Sequence, residues 1–341
     1  MSTVWCRRAS GLRTSVDGAQ GRAIALPRVR TISLRFALIA AWFACATLCP
    51  SLCLTSAFAQ ERIQVVTTTT DLRSLTEAVG GDRVAVVSLV PPNMDAEDYQ
   101  PKPQDVLRLK NASVLVRVGL DYDLWADRLL VQAGKPEISR GGEGYVDASF
   151  GIAVLELRGM SVGPGDGHAH GSGNPHYWLD PKNAEIITAT ILEALTRIDP
   201  ASAATFETNR SAFLVRLQTK LTEWERKLAP LKRMPIVAYH NNWPYFARRF
   251  RLDFVEFIET KPGVPPSPAH LAEIVRTMRS RGVRIVVREP HEPERDIAFV
   301  AGRAGAQVVV LAASVGTLPS ANDYISLFDA NVEALTAAAS P

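Results

Sequence analysis

Beyond about residue 60, short apolar runs alternate with longer stretches whose apolar positions recur every three to four residues. The short runs at 62–70, 84–90 and 114–118 are rich in β-branched residues, which is typical of buried strands. Helical spacing follows them at 72 onward, 101–110 and 122–132, and residues 145–157 read as extended. This strand–helix alternation predicts a parallel sheet covered by helices on both faces.

The longest helical pattern covers residues 201–229 and contains no glycine or proline. Its apolar positions share a spacing of three to four residues: Phe206, Phe213, Leu214, Leu217, Leu221, Trp224 and Leu228. A helix of this length would extend roughly 40 Å, which is more than one small lobe needs. A coiled-coil segment is one interpretation. The polar face and the strands that resume afterwards favour a spine that runs past two lobes.

The second half repeats the alternation. Strands are predicted at 236–239, 254–258, 284–287 and 308–311, and helices at 182–197, 243–250, 267–281 and 324–337. We therefore predict an α/β protein with two Rossmann-like lobes joined by one long rigid helix. The expected divisions are a leader at 1–59, lobes at 60–200 and 231–341, and the linking helix at 201–230. Because ligands of such sheets bind at the carboxyl ends of strands, His240 and Glu289 stand out at two such ends.

The first 59 residues have the composition of a secretion signal. Arg28, Arg30 and Arg35 precede an apolar run at 36–48, and Ala57-Phe58-Ala59 is an A-x-A cleavage pattern. A transmembrane anchor is the alternative, but the unbroken apolar run is shorter than a bilayer needs. Lipidation at Cys45 or Cys53 is a second alternative. We expect a signal peptide cleaved after Ala59 and a mature protein in the periplasm.

Charge and cysteine content narrow the function further. The formal net charge is +3, but the leader holds seven arginines and a single acid, so the rest of the chain is slightly acidic. Nucleic-acid binding therefore has no support from charge. All four cysteines also lie in the leader, so a metal site in the mature chain must use His, Asp, Glu or water.

Three of the six histidines fall within the segment 165–181, GDGHAHGSGNPHYWLDP. His168 and His170 lie in a Gly-rich loop and are interpreted either as simple loop residues or as an accessory, metal-collecting pair. His176 is held between a proline and a predicted helix start, where Asp180 reads as the N-cap and Pro181 as the first helical residue. A rigidly held imidazole is the better candidate ligand.

The order of several motifs resembles the zinc- and manganese-binding solute receptors of bacterial ABC importers, the ZnuA/TroA-like family. These motifs, spread over residues 61–337, are the acidic–aromatic segment EDYQP at 97–101, NPHYWLDP at 174–181, the long helix, YHNNWPYF at 239–246 and DYISLFDAN at 323–331. The resemblance implies two lobes, a rigid linking helix and one divalent metal in the cleft between them. It also implies a permease and an ATPase as partners, and we expect a monomer.

Carried over to this chain, the family's second and third ligands fall on His176 and His240. Its first ligand, usually a histidine, falls on Glu97, and its fourth position falls near Ala313-Ser314, where no carboxylate stands. Glu289 is our preferred fourth donor, with Glu259 or water as alternatives, and Glu289 is also a candidate for orienting His240. Two imidazoles and a carboxylate suit Zn²⁺, and Mn²⁺ or Fe²⁺ would accept the same donors.

The leading hypothesis is a non-enzymatic periplasmic receptor that captures a divalent metal, with zinc as the first choice. A metal chelate or another solute is the alternative cargo. A secreted zinc hydrolase with Glu289 as its base is a remote rival, because the chain has neither H-E-x-x-H nor G-x-S-x-G. His270 and His291 are expected to be surface residues.

Overall fold

The chain folds as two parallel α/β lobes in a computed structural model that describes residues 61–156, 172–261 and 263–339. The elements of the first lobe are β1 (Ile63–Thr67), α1 (Thr70–Gly80), β2 (Val84–Ser88), α2 (Pro103–Asn111), β3 (Val114–Arg117), α3 (Trp125–Ala133), β4 (Tyr145–Asp147) and α4 (Ala184–Ile198). The long helix α5 (Ala203–Leu228) follows. The second lobe contains β5 (Pro235–Ala238), α6 (Pro244–Phe250), β6 (Asp253–Phe257), α7 (Pro268–Arg281), β7 (Ile285–Arg288), α8 (Glu294–Ala304), β8 (Gln307–Val310) and α9 (Tyr324–Ala339).

The two sheets have the same topology. Their strand orders are β2-β1-β3-β4 and β6-β5-β7-β8, and all pairings are parallel. In each sheet the second strand lies on one side of the first strand, and the third and fourth strands lie on its other side. This reversal opens a crevice at the carboxyl ends of β1 and β3 and of β5 and β7, where doubly wound sheets bind ligands. The predicted α/β fold class is confirmed.

The long helix α5 runs past both lobes as its apolar spacing predicts. It packs against α1 and α4 of the first lobe and against α9, which in turn contacts β8 of the second. Six of its seven predicted apolar positions are buried, and Leu214 is partly buried against the same core. At 1.5 Å per residue its 26 residues extend about 40 Å. The precise residues that divide leader, lobes and linker stay predictions.

Three local expectations were wrong. Helix α1 begins at Thr70 and not at residue 72, because Thr69 caps it: the Thr69 hydroxyl accepts from Leu72 N, and Asp71 lies in the first turn. Regular strand structure after Tyr145 ends at Asp147 because β4 pairs with β3 over only three residues. Helix α8 was not predicted, since a charged segment rich in arginine hides its apolar positions Ile297, Val300 and Ala301.

Buried polar bonds tie the two lobes together. Asp180, which follows the NPHYWL segment, accepts from Arg249 Nε at 2.6 Å and Nη2 at 3.0 Å on α6. Asp71 Oδ1 accepts from Val315 N at 2.9 Å across the same boundary. Trp178 Nε1 donates to Ala313 O at 2.8 Å. These contacts fix how the carboxyl ends of the two sheets face each other.

Within the described residues, no helix has both the length and the apolar character needed to cross a bilayer. The expected leader and its cleavage site lie outside the described residues.

The Asp180–Arg249 ion pair is expected to be a main source of stability between the lobes. Arg249→Ala leaves the Asp180 carboxylate 1% exposed without its bidentate partner. We expect the free energy of unfolding to fall by about 2 kcal/mol, because the buried Asp180 then keeps only the longer contact with Arg248, at 3.6 Å, and the hydrogen bond from Lys182 N. Chemical denaturation of the metal-free protein measures this change.

Arg276→Ala is the matched control. Arg276 pairs with Glu273 on α7, but both side chains are mostly exposed, at 66% and 60%. Exposed pairs contribute about 0–1 kcal/mol. Equal losses from the two arginine variants would contradict the role given to Asp180.

Candidate metal centre

The cleft is lined by residues that directly follow strands of both sheets. Thr69 and Thr70 follow β1, Val90 follows β2, Tyr122 follows β3, Asn242 follows β5, Glu289 follows β7, and Ala313 and Ser314 follow β8. The cavity between them encloses about 20 Å³, which is room for one water-sized particle. A cavity of this size has room for a bare ion.

Three side chains in this cleft bring donor atoms together. Among the described residues, Glu97, His176 and His240 form the set whose ligand atoms all lie within 4.8 Å of one another. His176 Nε2 lies 3.9 Å from Glu97 Oε1, and the two imidazole rings meet edge to face with centroids 5.6 Å apart. Glu97 comes from the loop between β2 and α2, whereas His240 follows β5, so both lobes contribute. The structure therefore gathers three of the four residues that we predicted as primary ligands.

His176 is oriented by a residue two positions earlier. Asn174 Oδ1 accepts from His176 N at 3.0 Å and lies 3.1 Å from His176 Nδ1. Because an amide oxygen only accepts, Nδ1 carries the proton and Nε2 keeps its lone pair. Asn174 Nδ2 in turn donates to Asn241 O at 3.0 Å, beside His240. One amide thus fixes the ring of His176 and ties it to the neighbour of the second imidazole.

His240 is hydrogen-bonded to Glu259, the residue named above as an alternative fourth donor. Glu259 Oε2 lies 2.5 Å from His240 Nδ1, which directs Nε2 toward the other donors. The register of the sheet explains the contact, because Glu259 N donates to Tyr239 O at 2.8 Å at the ends of β6 and β5. A carboxylate behind a ligating imidazole fixes the ring and raises its basicity. Glu259, and not Glu289, therefore has the orienting role.

Glu289 lies in the same cavity but outside the three-donor set. Its Oε1 accepts a hydrogen bond from Asn242 Nδ2, and its Oε2 accepts from Ala313 N at 3.3 Å. Its role as fourth donor stays a prediction.

Burial and like charges dominate the electrostatics of the cleft. Burial raises the pKa of Glu289 well above its usual range, and the nearby Glu292 charge adds to the rise. Burial and the charge of Glu97 raise the pKa of Asp95 to about 6. Burial lowers the pKa of His240, but the hydrogen bond to Glu259 and the charges of Asp95 and Glu97 outweigh it and bring the pKa to about 9. A site with this carboxylate excess is stabilised by a cation.

Aromatic rings form the wall around His176. The rings of Tyr122 and Trp178 lie 5.3 and 5.2 Å from the imidazole, centroid to centroid. Both residues are buried. These walls keep bulk water away from His176, which strengthens the interaction of any cation with the surrounding charges.

Some residues of the cavity escaped the sequence analysis. His291 is exposed, as expected, but it also lines the cavity, with its Nδ1 3.9 Å from Glu289 Oε2. Asp95 and Asn242 line it as well. Their positions after predicted strands were the available signal, although the Pro-rich turn around His291 pointed to a plain loop. His168 and His170 lie outside the described residues.

The two parallel lobes and the small cleft with two imidazoles and a carboxylate define a two-lobed receptor for a metal ion. The family model "ZnuA: Zinc-uptake complex component A periplasmic" matches residues 65–338. The iron-binding protein YfeA of Yersinia pestis is 25% identical over 286 residues, covering 81% of this chain and 86% of that protein. The manganese ABC transporter substrate-binding lipoprotein PsaA of Streptococcus pneumoniae is 26% identical over 248 residues, covering 70% and 76%. A crystal structure of ZnuA is 26% identical with a TM-score of 0.69, covering 82% of this chain and 100% of that one.

The chain belongs to the ZnuA family of periplasmic components of zinc-uptake complexes. It is a metal-binding, substrate-binding protein of an ABC importer, a class of receptor that works with a membrane permease and an ATPase. The family resemblance drawn from the motifs is confirmed.

The raised pKa of His240 predicts how the stability of the metal-free protein depends on pH. The folded-state pKa of about 9 exceeds the ordinary value of 6.5, so protonated His240 stabilises the fold fully below pH 6.5. This stabilisation, on the order of 3 kcal/mol, is lost as pH rises through about 9. Glu259→Gln removes the hydrogen-bonded charge, and we expect it to flatten this part of the profile.

The measurement is urea denaturation with a chelator present, from pH 6 to 10. Glu273→Gln, at an exposed carboxylate on α7, is the control and should keep the parent slope. A Glu259→Gln profile parallel to that of the parent would show that the contact with His240 does not set the pH dependence.

Proposed function

We propose that this receptor captures a divalent transition metal, with Zn²⁺ as its preferred cargo, and delivers it to the permease. The observation that carries the proposal is the convergence of Glu97, His176 and His240 from both lobes. Each ring has its Nδ1 occupied by a hydrogen-bond partner, which leaves both Nε2 atoms for the ion.

The donor chemistry supports zinc. Zn²⁺ is bound in proteins by nitrogen from His and oxygen from Asp or Glu, with a preference for four-coordination. Affinity for such mixed sites rises from Mn²⁺ through Fe²⁺ and is higher for Zn²⁺ than for either. The names of YfeA and PsaA assign iron and manganese to relatives. Metal content of the purified mature protein, measured by mass spectrometry, therefore tests the choice of zinc directly.

Capture in this proposal needs little hinge motion. The α5 spine and the Asp180–Arg249 pair hold the lobes in one arrangement. Release then requires the permease to separate the lobes or a proton to compete for the imidazoles, because a bound imidazole must be neutral.

Removal of either imidazole should nearly abolish tight binding. We expect His176→Ala and His240→Ala each to weaken zinc affinity by more than about 100-fold, since each deletes one of the two imidazole donors. Competition with a chromogenic chelator measures the affinity. His270→Ala, on α7 outside the cleft lining, is the control that should bind as the parent does. Parent-like affinity in both cleft variants would remove the proposed site.

The fourth donor of the proposed site is Glu289. The family resemblance puts a carboxylate near Ala313, where this chain has none. Glu289 Oε2 accepts from Ala313 N at 3.3 Å, so a carboxylate from the end of β7 occupies the neighbourhood of that position. Glu289 also lines the cavity together with His176. We infer that the carboxylate has changed its place in the sequence and kept its place in the cleft.

This inference predicts a rescue. Glu289→Gln should weaken zinc binding by about 10- to 100-fold, because an amide is a poorer donor to a hard dication than a carboxylate. Adding Ala313→Asp should recover most of that loss by supplying a carboxylate from the end of β8. Calorimetric titration of the single and double variants measures both steps.

Glu273→Gln, at an exposed carboxylate on α7 that does not line the cavity, is the control and should bind zinc as the parent does. If Glu289→Gln binds zinc like the parent, water completes the coordination. If the double variant binds no better than Glu289→Gln alone, the exchange of positions is wrong.

A further inference from the structure

We propose that His291 and Glu289 form an outer site that receives the metal ion at the mouth of the cleft and passes it inward to the buried donors. This inference rests on the proposed function, because the ion is the same cargo. The outer site is defined by His291 Nδ1 and Glu289 Oε2, which lie 3.9 Å apart. A single metal ion can bind an imidazole nitrogen and a carboxylate oxygen at this separation, since each bond is about 2.0–2.2 Å long.

Exposure decreases along a path from His291 to the buried centre. The His291 side chain is 29% exposed, that of Glu289 is 7% exposed and that of His176 is 4% exposed. All three line the same cavity. An ion that meets His291 from solvent therefore finds Glu289 next and the buried imidazole after it.

The opposite wall of the mouth comes from the first lobe. Pro91, Pro92, Met94 and Asp95 line the same cavity as His291, and Met94 is 41% exposed. Asp95 supplies a carboxylate there, held by its own hydrogen bond from Glu97 N at 2.8 Å. The mouth is thus framed by both lobes, with one carboxylate on each side of it.

An unsatisfied amide oxygen provides independent support. Asn242 is buried and lines the cavity, and its Nδ2 donates to Glu289 Oε1. Within the part of the chain that the structure describes, Asn242 Oδ1 has no hydrogen-bond partner. Buried polar atoms are almost always paired, and a metal ion held between His291 and Glu289 would supply the positive charge that this oxygen lacks.

Glu289 belongs to both sites. In the proposed centre it is the fourth donor, and in the outer site it is the partner of His291. A shared carboxylate lets the ion exchange one ligand at a time, so it never loses all its protein donors on the way in. The proposal therefore concerns the rate of metal movement and assigns His291 no bond to the ion in its final position.

This separation of rate from affinity gives a specific test. We expect His291→Ala to lower the association and dissociation rate constants of Zn²⁺ together, by about tenfold each. The outer site lies on the path of both binding and release. Its loss therefore slows association and dissociation by the same factor and leaves the equilibrium affinity unchanged. Stopped-flow fluorescence follows association, with Trp178 as the reporter 5.2 Å from His176, and chelator competition follows dissociation. His270→Ala is the control for removing a histidine elsewhere in the same lobe.

Two outcomes would overturn the proposal. Rate constants equal to those of the parent would show that His291 is not on the route. A faster dissociation with a weaker affinity would show that His291 is a ligand of the final site. Thermal unfolding of each variant confirms that the compared proteins are folded.

A second measurement isolates the outer site itself. In the His176→Ala/His240→Ala double variant, which lacks both imidazoles of the buried centre, we expect one equivalent of Zn²⁺ to remain bound weakly in a calorimetric titration. Adding His291→Ala should remove this residual binding, and its persistence would contradict the outer site. Failure of the main proposal looks different, because His176→Ala would then retain the tight site.

Discussion

The interaction on which the rest depends is the meeting of two imidazoles and a carboxylate in a cleft that is nearly closed to water. Glu97 and His176 come with the first lobe and His240 with the second, so the contact exists only if the lobes keep one relative position. The interlobe bonds of Asp180 and Asn174 serve this end, and the α5 spine limits how far the lobes can separate.

In the metal-free protein the electrostatics of this cleft are unfavourable. Burial raises the pKa of Asp95, Glu289 and Glu292, which means that their ionised forms are disfavoured there. Protonated His240 offsets part of this excess, helped by its bond to Glu259. A bound dication replaces this single positive charge with two. The repulsion among carboxylates that destabilises the metal-free protein therefore contributes to the affinity for the metal.

The sequence predicted the parts of this architecture that depend on local pattern. Apolar spacing located most strands and the long helix, and the rule that ligands gather at strand ends singled out His240 and Glu289. It could not separate the roles of Glu259 and Glu289, because both follow strands. Only the side-by-side register of β5 and β6, seen in the bond from Glu259 N to Tyr239 O, brings Glu259 to the imidazole. His291 is exposed as expected, but its place in the cavity lining could not be predicted, since a turn looks the same in sequence whether or not another lobe faces it.

Because several strand ends meet at the same cavity, a metal-binding side chain can come from more than one of them. Residues after β5, β7 and β8 reach the same small cavity, so a carboxylate can enter it from any of these positions. The absence of an acid at Ala313 is then compatible with an intact site, because Glu289 reaches the backbone of that residue. A carboxylate from a different strand approaches the ion from a different side and contacts different neighbours. For Glu289 these neighbours are Asn242 and His291. Families of this fold can therefore vary their donors, and with them their metals, while the sheets beneath stay the same.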